Sequence, residues 1–404
     1  MNASSSLVLL FAFLVLASGL PAAIDPYPIF GDRRIKFPDV PGYCTLKCDF
    51  HIHTIFSDGK VWPNMRVEEA VREGLDAIAI TDHLEWNPHR ADVPFPDQNR
   101  SYDIAVKAVE GRPLIVVRGA EITRRMPPEK DEPGHLNALF LQDANKLKQE
   151  DAFEVLKEAR RQGAFVTWNH PSWLRQTPDG IARVTLLHKR LLDDNLIQGI
   201  EVANGNEYST ESLQIALDYN LAILGCSDIH APIDWIYPGE ESSHRPITFV
   251  FAREKTEASL KEALLARRTV VWWKNSLIGR HNNLLPLLHA SIAARSEGYE
   301  WETSTFSFLP KTTVLNVRLT NSTDANFILC NVSGYKMHNQ TDTFILPAHG
   351  NIPLQFNLLQ KLPRAVLKLE VLNALIAPNE HAIIEFTVNA QPDNPTAEKK
   401  DRLP

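Results

Sequence analysis

Short apolar segments alternate with amphipathic segments between residues 44 and 280. The apolar segments, such as "DAIAIT" and "AFVTW", are rich in β-branched and aromatic residues. The stretches between them, such as "EDAFEVLKEARRQG", repeat their apolar positions every three to four residues, which predicts helices. Strands that alternate with helices are typical of parallel βα units, and so many units in this length favour a closed barrel over an open sheet. In such a barrel, the functional side chains lie at the carboxyl ends of the strands.

After residue 285 the apolar positions recur every second residue. Segments such as "AVLKLEVLNA" and "AIIEFTVNA" show this alternation, with turn residues between them and no convincing helix. The pattern predicts a small antiparallel β-sandwich domain over residues 285–390. The polar residues 391–404 are expected to form a tail.

The N-terminus contains an unbroken apolar run, "LVLLFAFLVL", followed by the small residues of "ASGLPAA". This order predicts a secretory signal peptide over residues 1–23 and a linker over residues 24–43, ahead of the barrel at 44–280. Because "MNASSS" contains no Lys or Arg, an uncleaved anchor is the alternative. We expect a protein exported to the periplasm or the cell exterior, with no stable membrane span after cleavage.

The composition is that of an ordinary globular protein, with 44% hydrophobic and 23% charged residues among 404. A net charge of -7 argues against a broad basic face, so no nucleic-acid partner is expected. Four cysteines are too few for a disulfide scaffold. The sequence does not specify an oligomeric state.

Histidines and carboxylates stand at the ends of the predicted strands. His51 and His53 share one face of the first strand end, because side chains two apart in a strand point the same way. A single such pair is consistent with either a metal site or a polar strand end. The further candidates are Asp58, His83, Glu121, His135, His170, Asp228 and His230. Imidazole and carboxylate groups that converge at one barrel mouth predict divalent metal ions, and this set is too large for one ion.

The ordered motifs "DFHIHTIFSDG", "AITDH", "GAE", "GHLNALF", "WNHP" and "GCSDIHA" resemble those of the polymerase-and-histidinol-phosphatase (PHP) family. The resemblance implies a distorted (β/α)7 TIM-like barrel that holds two or three divalent ions (Zn, Mn or Fe) and hydrolyses phosphoesters. The opening motif, the export signal and "HRPITFVFA" are also similar to a secreted subgroup that includes phosphodiesterases.

The resemblance also implies three ligand sets. The first contains His51, His53, Glu121 and Asp228; the second adds His135 and His170 to a shared Glu121; the third contains Asp58, His83 and His230. Asp58 stands where some family members have histidine. Glu121 and Asp228 are expected to act in catalysis, Glu121 as a bridging ligand and Asp228 as a ligand and proton acceptor. His230 is expected to help at the leaving oxygen.

Three cations after strand ends, Lys60, Arg90 and Arg245, are candidates to bind the substrate phosphate, with solvated surface charge as the alternative for each. We expect a secreted, metal-dependent phosphodiesterase that acts on a small phosphoester. The alternatives are a phosphomonoesterase for a nucleotide or sugar phosphate, and a surface-binding protein without catalysis.

Overall fold

The computed structural model describes residues 33–124, 133–239, 244–301 and 313–390. The predicted signal peptide, residues 1–23, and the predicted tail, residues 391–404, lie outside these residues.

The first described part of the chain alternates strands and helices, and the apolar segments "DAIAIT" and "AFVTW" form strands as predicted. Its elements are β1 (Cys44–Asp49), α1 (Pro63–Arg72), β2 (Ala77–Ile80), α2 (Arg100–Val109), β3 (Ile115–Thr123), β4 (His135–Leu139), a 3-10 turn (Ala144–Leu147), α3 (Ala152–Arg161), β5 (Phe165–Trp168), α4 (Leu186–Asp193), β6 (Gly199–Asn204), β7 (Glu207–Tyr208), α5 (Thr210–Asp218), β8 (Ala222–Cys226), α6 (Ile233–Ile236), β9 (Ile247–Ala252), α7 (Glu257–Leu265), β10 (Thr269–Trp273) and β11 (Ser276–Gly279).

Local sequence explains where several helices begin. The side chain of Asp151 accepts a hydrogen bond from the Glu154 backbone at the start of α3, and Thr256 does the same for Ser259 at the start of α7. Both are N-caps that satisfy an otherwise unpaired backbone donor. α1 instead begins with Pro63, whose fixed φ suits the first helical turn.

The strands form one curved sheet from β9 through β1, β2, β3, β4, β5 and β6 to β8. β1, β2 and β3 are mutually parallel, as are β5, β6 and β8, but β4 is antiparallel to both its neighbours and β9 is antiparallel to β1. The predicted (β/α)7 barrel of parallel units is therefore not confirmed. What the structure shows is a mixed α/β sheet joined to an all-β part.

The last strand, β8, lies next to the first two strands, β9 and β1, and the segments that follow β1 and β8 pair with each other. An isolated parallel bridge pairs Ile52 with Ile229, and the backbone N–H of Asp228 donates to the carbonyl of His51 at 2.9 Å. Below it, the Thr248 hydroxyl contacts both the N–H and the carbonyl of Gly225 at 2.9 Å. The carboxyl ends of β1 and β8 are thus held side by side.

The last part of the chain is a two-layer β-structure, as predicted. Its elements are α8 (His281–Ser291), β12 (Ile292–Trp301), β13 (Thr313–Asn321), β14 (Phe327–Asn331), β15 (Lys336–Met337), β16 (Thr343–Leu346), β17 (Asn351–Leu358), β18 (Arg364–Ala377) and β19 (Glu380–Asn389). One layer has the order β12-β13-β17-β15, and the other contains β16, β14, β18 and β19. Fully buried side chains such as Leu315, Phe327 and Phe356 belong to their shared core.

Two features of this part differ from the prediction. α8 lies across residue 285, where no helix was expected, and it contains Pro286 in its interior. Proline removes a helical hydrogen bond and is rare inside helices, so the sequence of this segment did not predict a helix. In addition, β18 pairs in parallel with β11, so one layer of the sandwich continues the sheet of the first part.

Among the described residues, no helix has both the length and the apolar character needed to cross a bilayer. All four cysteines are free thiols, which agrees with the low cysteine count.

Candidate metal centre

His51 and His53 follow β1 directly, and a tight turn then returns the chain with Asp58. Asp82 stabilises this turn, since its carboxylate accepts hydrogen bonds from the N–H and the hydroxyl of Thr54 and from the Ser57 hydroxyl, each at 2.7 Å. A Cβ at residue 59 would lie 2.7 Å from the His53 carbonyl carbon, so only glycine fits there. Asp82 therefore caps the loop that presents the first three candidate ligands.

Backbone pairing brings the neighbouring strand ends to the same place. An isolated bridge pairs His83, just after β2, with Glu121 near the end of β3. His135 is the first residue of β4 and lies opposite Thr123, because β4 runs antiparallel to β3. The start of β4 is thus at the same edge of the sheet as the carboxyl ends of its parallel neighbours.

The structure brings all nine predicted ligands together. Four overlapping groups have ligand atoms within 4.8 Å of one another, namely His51–His53–Asp228, His51–Glu121–His170, His83–Glu121–His135 and His53–Asp58–His83–His230. They correspond closely to the three sets implied by the family resemblance, with Glu121 shared between two groups. The main difference is that His53 also lies near Asp58, with 3.7 Å between His53 Nδ1 and Asp58 Oδ1.

Asp228 and Glu121 lie at the centre of the cluster. Asp228 Oδ1 is 3.0 Å from His53 Nε2 and 3.2 Å from His51 Nε2. Glu121 Oε1 is 3.0 Å from His135 Nδ1 and 3.6 Å from His170 Nε2. Glu121, His51 and His53 are completely buried, and nitrogen and oxygen donors of this kind suit borderline and hard divalent ions.

Several of these buried atoms make no well-oriented hydrogen bond to any described residue, although His53 Nε2 and Asp228 Oδ1 lie within 3.0 Å of each other. The atoms without such a bond are His51 Nε2, His53 Nε2, Asp58 Oδ1, Glu121 Oε2 and Asp228 Oδ1. A buried polar atom without a partner costs free energy, and so many in one cluster indicate a missing shared partner. Divalent ions supply such a partner, and the residues present therefore fit a metal cluster.

A second layer of groups orients the imidazoles. Glu201 Oε1 lies 2.8 Å from His51 Nδ1, Gln176 Nε2 lies 2.7 Å from His170 Nδ1, and the Asp228 carbonyl lies 2.7 Å from His230 Nδ1. Metal-binding histidines characteristically donate their second ring N–H to an oxygen, as Glu201 and the Asp228 carbonyl allow here, whereas the Gln176 amide nitrogen donates to His170 Nδ1. Glu201 takes this orienting position beside His51. Gln176 was missed, although it follows His170 in the same strand-end loop.

The charges of the cluster are strongly coupled in the metal-free protein. Burial lowers the pKa of His83, but Glu121 and Asp58 outweigh burial and raise the pKa to about 10. Burial, His230 and His83 together lower the pKa of His53 to about 3. Burial raises the pKa of Glu121, yet the surrounding imidazoles dominate and hold it well below its usual range. Without metal, the protonated His83 ring therefore balances part of the negative charge of Glu121 and Asp58, which bound ions would otherwise do.

The cluster opens into a cavity of about 520 Å³. Seven of the nine candidate ligands line it, and its remaining lining residues are Trp173, Arg175, Asn204, Gly205, Asn206, Glu207 and Ser227. The Arg175 guanidinium lies 5.5 Å above the Trp173 ring. Arg175 was not singled out from the sequence, although it too follows His170 in a strand-end loop.

The three cations predicted to bind substrate do not line this cavity. Lys60 and Arg90 are exposed and are not among its lining residues, although the Lys60 backbone N–H donates to the His230 carbonyl at 2.7 Å. Arg245 is only 1% exposed, and its guanidinium pairs with Asp49 at 3.0 Å and with Glu73 at 2.8 Å. The prediction that Arg245 contacts substrate is therefore wrong, because this buried side chain is enclosed by its own carboxylate partners.

Comparisons with known proteins identify the family to which the chain belongs. The family model described as a PHP domain matches residues 49–234, and the Ig-like domain model DUF5001 matches residues 302–387. A two-domain protein from Bacteroides vulgatus, containing a predicted PHP-like metal-dependent phosphoesterase, is 38% identical in sequence. The match covers 88% of this chain and 98% of that chain, with a TM-score of 0.78. The chain therefore belongs to the PHP-like metal-dependent phosphoesterase family, and it carries an Ig-like all-β domain.

Two other structures are more distant. A protein from Bifidobacterium adolescentis, assigned as a metal-dependent phosphoesterase, is 19% identical with a TM-score of 0.36. An amidohydrolase from Chromobacterium violaceum, with bound sulfate and no metal, is 17% identical with a TM-score of 0.33. Each match covers 46% of this chain, and 89% and 88% of those chains respectively. No curated protein matches the chain.

Proposed function

We propose that the protein is an exported hydrolase that uses two or three divalent ions to cleave small phosphodiesters. The observation that carries this proposal is the cluster of nine histidines and carboxylates, with its buried and unpartnered ligand atoms. The ligands are His51, His53, Asp58, His83, Glu121, His135, His170, Asp228 and His230. Zn, Mn or Fe(II) suits this donor set.

Bound ions would make hydroxide available at neutral pH and would neutralise charge on the phosphoryl oxygens. The protein's own groups set where this happens. Glu121 lies in two of the ligand groups and is fully buried, so it is placed to hold two ions together. Asp228 faces both the His51–His53 pair and the cavity, which suits a ligand that also accepts a proton.

The mouth of the cavity provides the contacts for the rest of the substrate. The His230 side chain is 34% exposed, more than that of any other candidate ligand, and a leaving oxygen can therefore approach it. Trp173 offers an aromatic wall beside His135 and His170, with ring centroids 5.5 and 5.2 Å apart. A cavity of about 520 Å³ accommodates a phosphate with organic groups on both sides.

One observation favours phosphomonoesters as the second candidate. Arg175 lines the cavity, and no ion pair to its guanidinium occurs among the described residues. A monoester carries more negative charge than a diester, and this free cation would balance it. A non-catalytic surface-binding protein remains the third candidate, and it predicts no turnover at all.

A single assay separates these candidates. Chelator-treated protein is supplied with Mn or Zn and incubated with bis-p-nitrophenyl phosphate or p-nitrophenyl phosphate. We expect metal-dependent hydrolysis with a preference for the diester. Preference for the monoester would favour the second candidate, and hydrolysis of neither would favour the third. Undiminished hydrolysis by fully stripped protein would refute the metal-dependent mechanism.

Export is proposed from the N-terminal sequence alone. The apolar run followed by small residues supports cleavage near residue 23. Fractionation of the native host, followed by N-terminal sequencing of the mature protein, tests it. A cytoplasmic protein that retains Met1 would contradict export, and a membrane-bound protein that retains the run would favour an anchor.

A further inference from the structure

The backbone of Asp228 has an unusual conformation. It follows Ser227 directly after β8 with a φ of 51°, in the left-handed region that residues with a Cβ rarely adopt. Its carboxylate nevertheless lies within 3.2 Å of both His51 Nε2 and His53 Nε2. Such a conformation persists only where the surrounding structure enforces it, so we looked for what holds this residue in place.

The carboxylate of Asp49 accepts two hydrogen bonds from Ser227, the residue that precedes Asp228. Oδ1 accepts a hydrogen bond from the Ser227 N–H at 3.1 Å, and Oδ2 accepts one from the Ser227 hydroxyl at 2.6 Å. Asp49 is the last residue of β1, and its Oδ1 also lies 3.4 Å from the N–H of His51. One buried carboxylate therefore ties together the two strand ends that carry His51 and Asp228.

Arg245 also donates a hydrogen bond to this carboxylate. Its Nη1 donates to Asp49 Oδ2 at 3.0 Å, and its Nε donates to Glu73 Oε2 at 2.8 Å. Asp49 is completely buried, and a buried carboxylate is stabilised by a cation paired with it. The planar guanidinium also fixes the direction of the carboxylate, because its donors diverge toward two acceptors.

We propose that Arg245 and Ser227 act through Asp49 as positioning residues that set the affinity of the His51–His53–Asp228 group for its metal ion. Neither side chain belongs to a ligand group, and Arg245 is sealed from the cavity. Arg245, which the sequence suggested as a phosphate-binding residue, instead helps to hold the metal ligand Asp228 in its left-handed backbone conformation. The inference rests on the metal centre proposed above.

The first test is Ser227→Ala, which removes the hydroxyl donor and leaves the backbone N–H in place. Metal affinity is measured by competition with a chelator for Mn or Zn, and the melting temperature is recorded with and without metal. We expect affinity to fall about 10–100-fold, as is typical when a group that orients a ligand is lost. The metal-free melting temperature should fall by no more than that of Ser291→Ala, because Ser291 lies on α8 outside the cluster and its buried hydroxyl also donates a 2.6 Å hydrogen bond, to the Leu287 carbonyl.

The second test is Arg245→Lys, which keeps the charge but loses the divergent donors. The matched control is Arg280→Lys, since Arg280 donates only to the carbonyls of Ala216 and Leu221, both at 2.8 Å. We expect Arg245→Lys to weaken metal binding by at least as much as Ser227→Ala, and Arg280→Lys to leave it unchanged. Should Arg245→Lys fail to fold, the Ser227→Ala result decides.

Wild-type metal affinity in Ser227→Ala or in folded Arg245→Lys would overturn the inference. A loss of metal affinity together with a metal-free melting temperature well below that of the serine control would also overturn it. In that case the residue would stabilise the fold in general rather than position the ligand. Wild-type protein is measured in parallel. If it takes up no metal, the metal centre itself is refuted, so the two failures are distinguishable.

Discussion

The mouth of the sheet, where the nine candidate ligands lie, differs from the β-sandwich in whether its buried polar atoms have hydrogen-bond partners. At the mouth, histidines and carboxylates are buried with five ligand atoms lacking a hydrogen-bond partner among the described residues. In the described residues of the sandwich, 292–301 and 313–390, no buried polar side-chain atom lacks a partner, and alternate residues of β18 and β19 fill an apolar core. The sandwich pairs its buried polar side chains within the protein, whereas the mouth presents unpartnered ligand atoms that bound ions would satisfy.

This difference predicts where substitutions act. Changes at the mouth should alter metal content, turnover and metal-dependent stability together, because bound ions stabilise only the folded state. Changes in the sandwich should alter stability without altering metal content per folded molecule. The following predictions run from the largest expected effect on turnover to the smallest.

Glu121→Gln should have the largest effect. A neutral amide cannot bridge two cations comparably, and turnover should fall by more than the roughly 100-fold upper range for the loss of an orienting group. Turnover and metal content of the purified variant provide the check. Glu158→Gln is the matched control, since Glu158 is also buried but lies on α3 and pairs with Arg161. Wild-type turnover in Glu121→Gln would remove this residue from the centre.

His53→Asn should lower turnover, metal content and melting temperature together. His53 approaches Asp228 and belongs to two ligand groups, so its loss removes a donor at each. An ordinary polar strand end would tolerate the change, and a purely catalytic histidine would leave metal content unchanged. Elemental analysis and thermal melts of the same sample distinguish these cases, and full metal occupancy would contradict the assignment.

The stabilisation by metal should grow as pH rises from about 6.5 towards 10. In the metal-free protein the pKa of His83 is raised to about 10 by Glu121 and Asp58, so this imidazole stays protonated at neutral pH. A raised pKa contributes stability that is present below about 6.5, the unfolded value, and is lost as pH approaches 10. Metal binding requires the neutral ring and therefore strengthens over the same window.

Thermal melts with and without metal across this pH range test the prediction. The gap between the two melting temperatures should widen with pH in wild-type protein. It should widen less in His83→Gln, which lacks the titrating ring. A gap that stays constant or narrows in wild-type protein would contradict the proposed exchange of protons for metal.

Phe356→Ala should leave turnover per folded molecule unchanged. Phe356 is completely buried in the sandwich, and its removal should cost about 3–5 kcal/mol of unfolding free energy. Denaturant unfolding and metal analysis of the folded fraction provide the check. Ile345→Ala is a control in the same domain, because Ile345 is 59% exposed and should change stability by less than about 0.5 kcal/mol. Loss of metal from folded Phe356→Ala would show that the two regions are coupled.

The ligand cluster was accessible from the sequence because each strand end is marked locally. The two-residue period placed His51 and His53 on one face, and the apolar runs before His83, Glu121 and Asp228 showed where strands stop. Even His135, at the start of its run, reaches the mouth, since β4 is antiparallel to its neighbours. The prediction of parallel units did not anticipate the antiparallel β4 and β9, because local periodicity is the same for either orientation.

The role of Arg245 could not be predicted in the same way. A charged residue after a strand end looks identical in sequence whether it faces a cavity or a buried carboxylate. Its partners Asp49 and Glu73 are 196 and 172 positions away in the chain, so only tertiary packing reveals the ion pairs. The pairing of β11 with β18 is similarly non-local, and it was missed for the same reason.

Equilibrium dialysis of metal-free protein against Mn or Zn, followed by elemental analysis, tests the central claim most directly. The account predicts two or three tightly bound ions per wild-type chain and a clear deficit in Glu121→Gln. It would be contradicted if wild-type protein bound no more metal than Glu121→Gln, because the buried unpartnered atoms at the mouth would then have some other explanation.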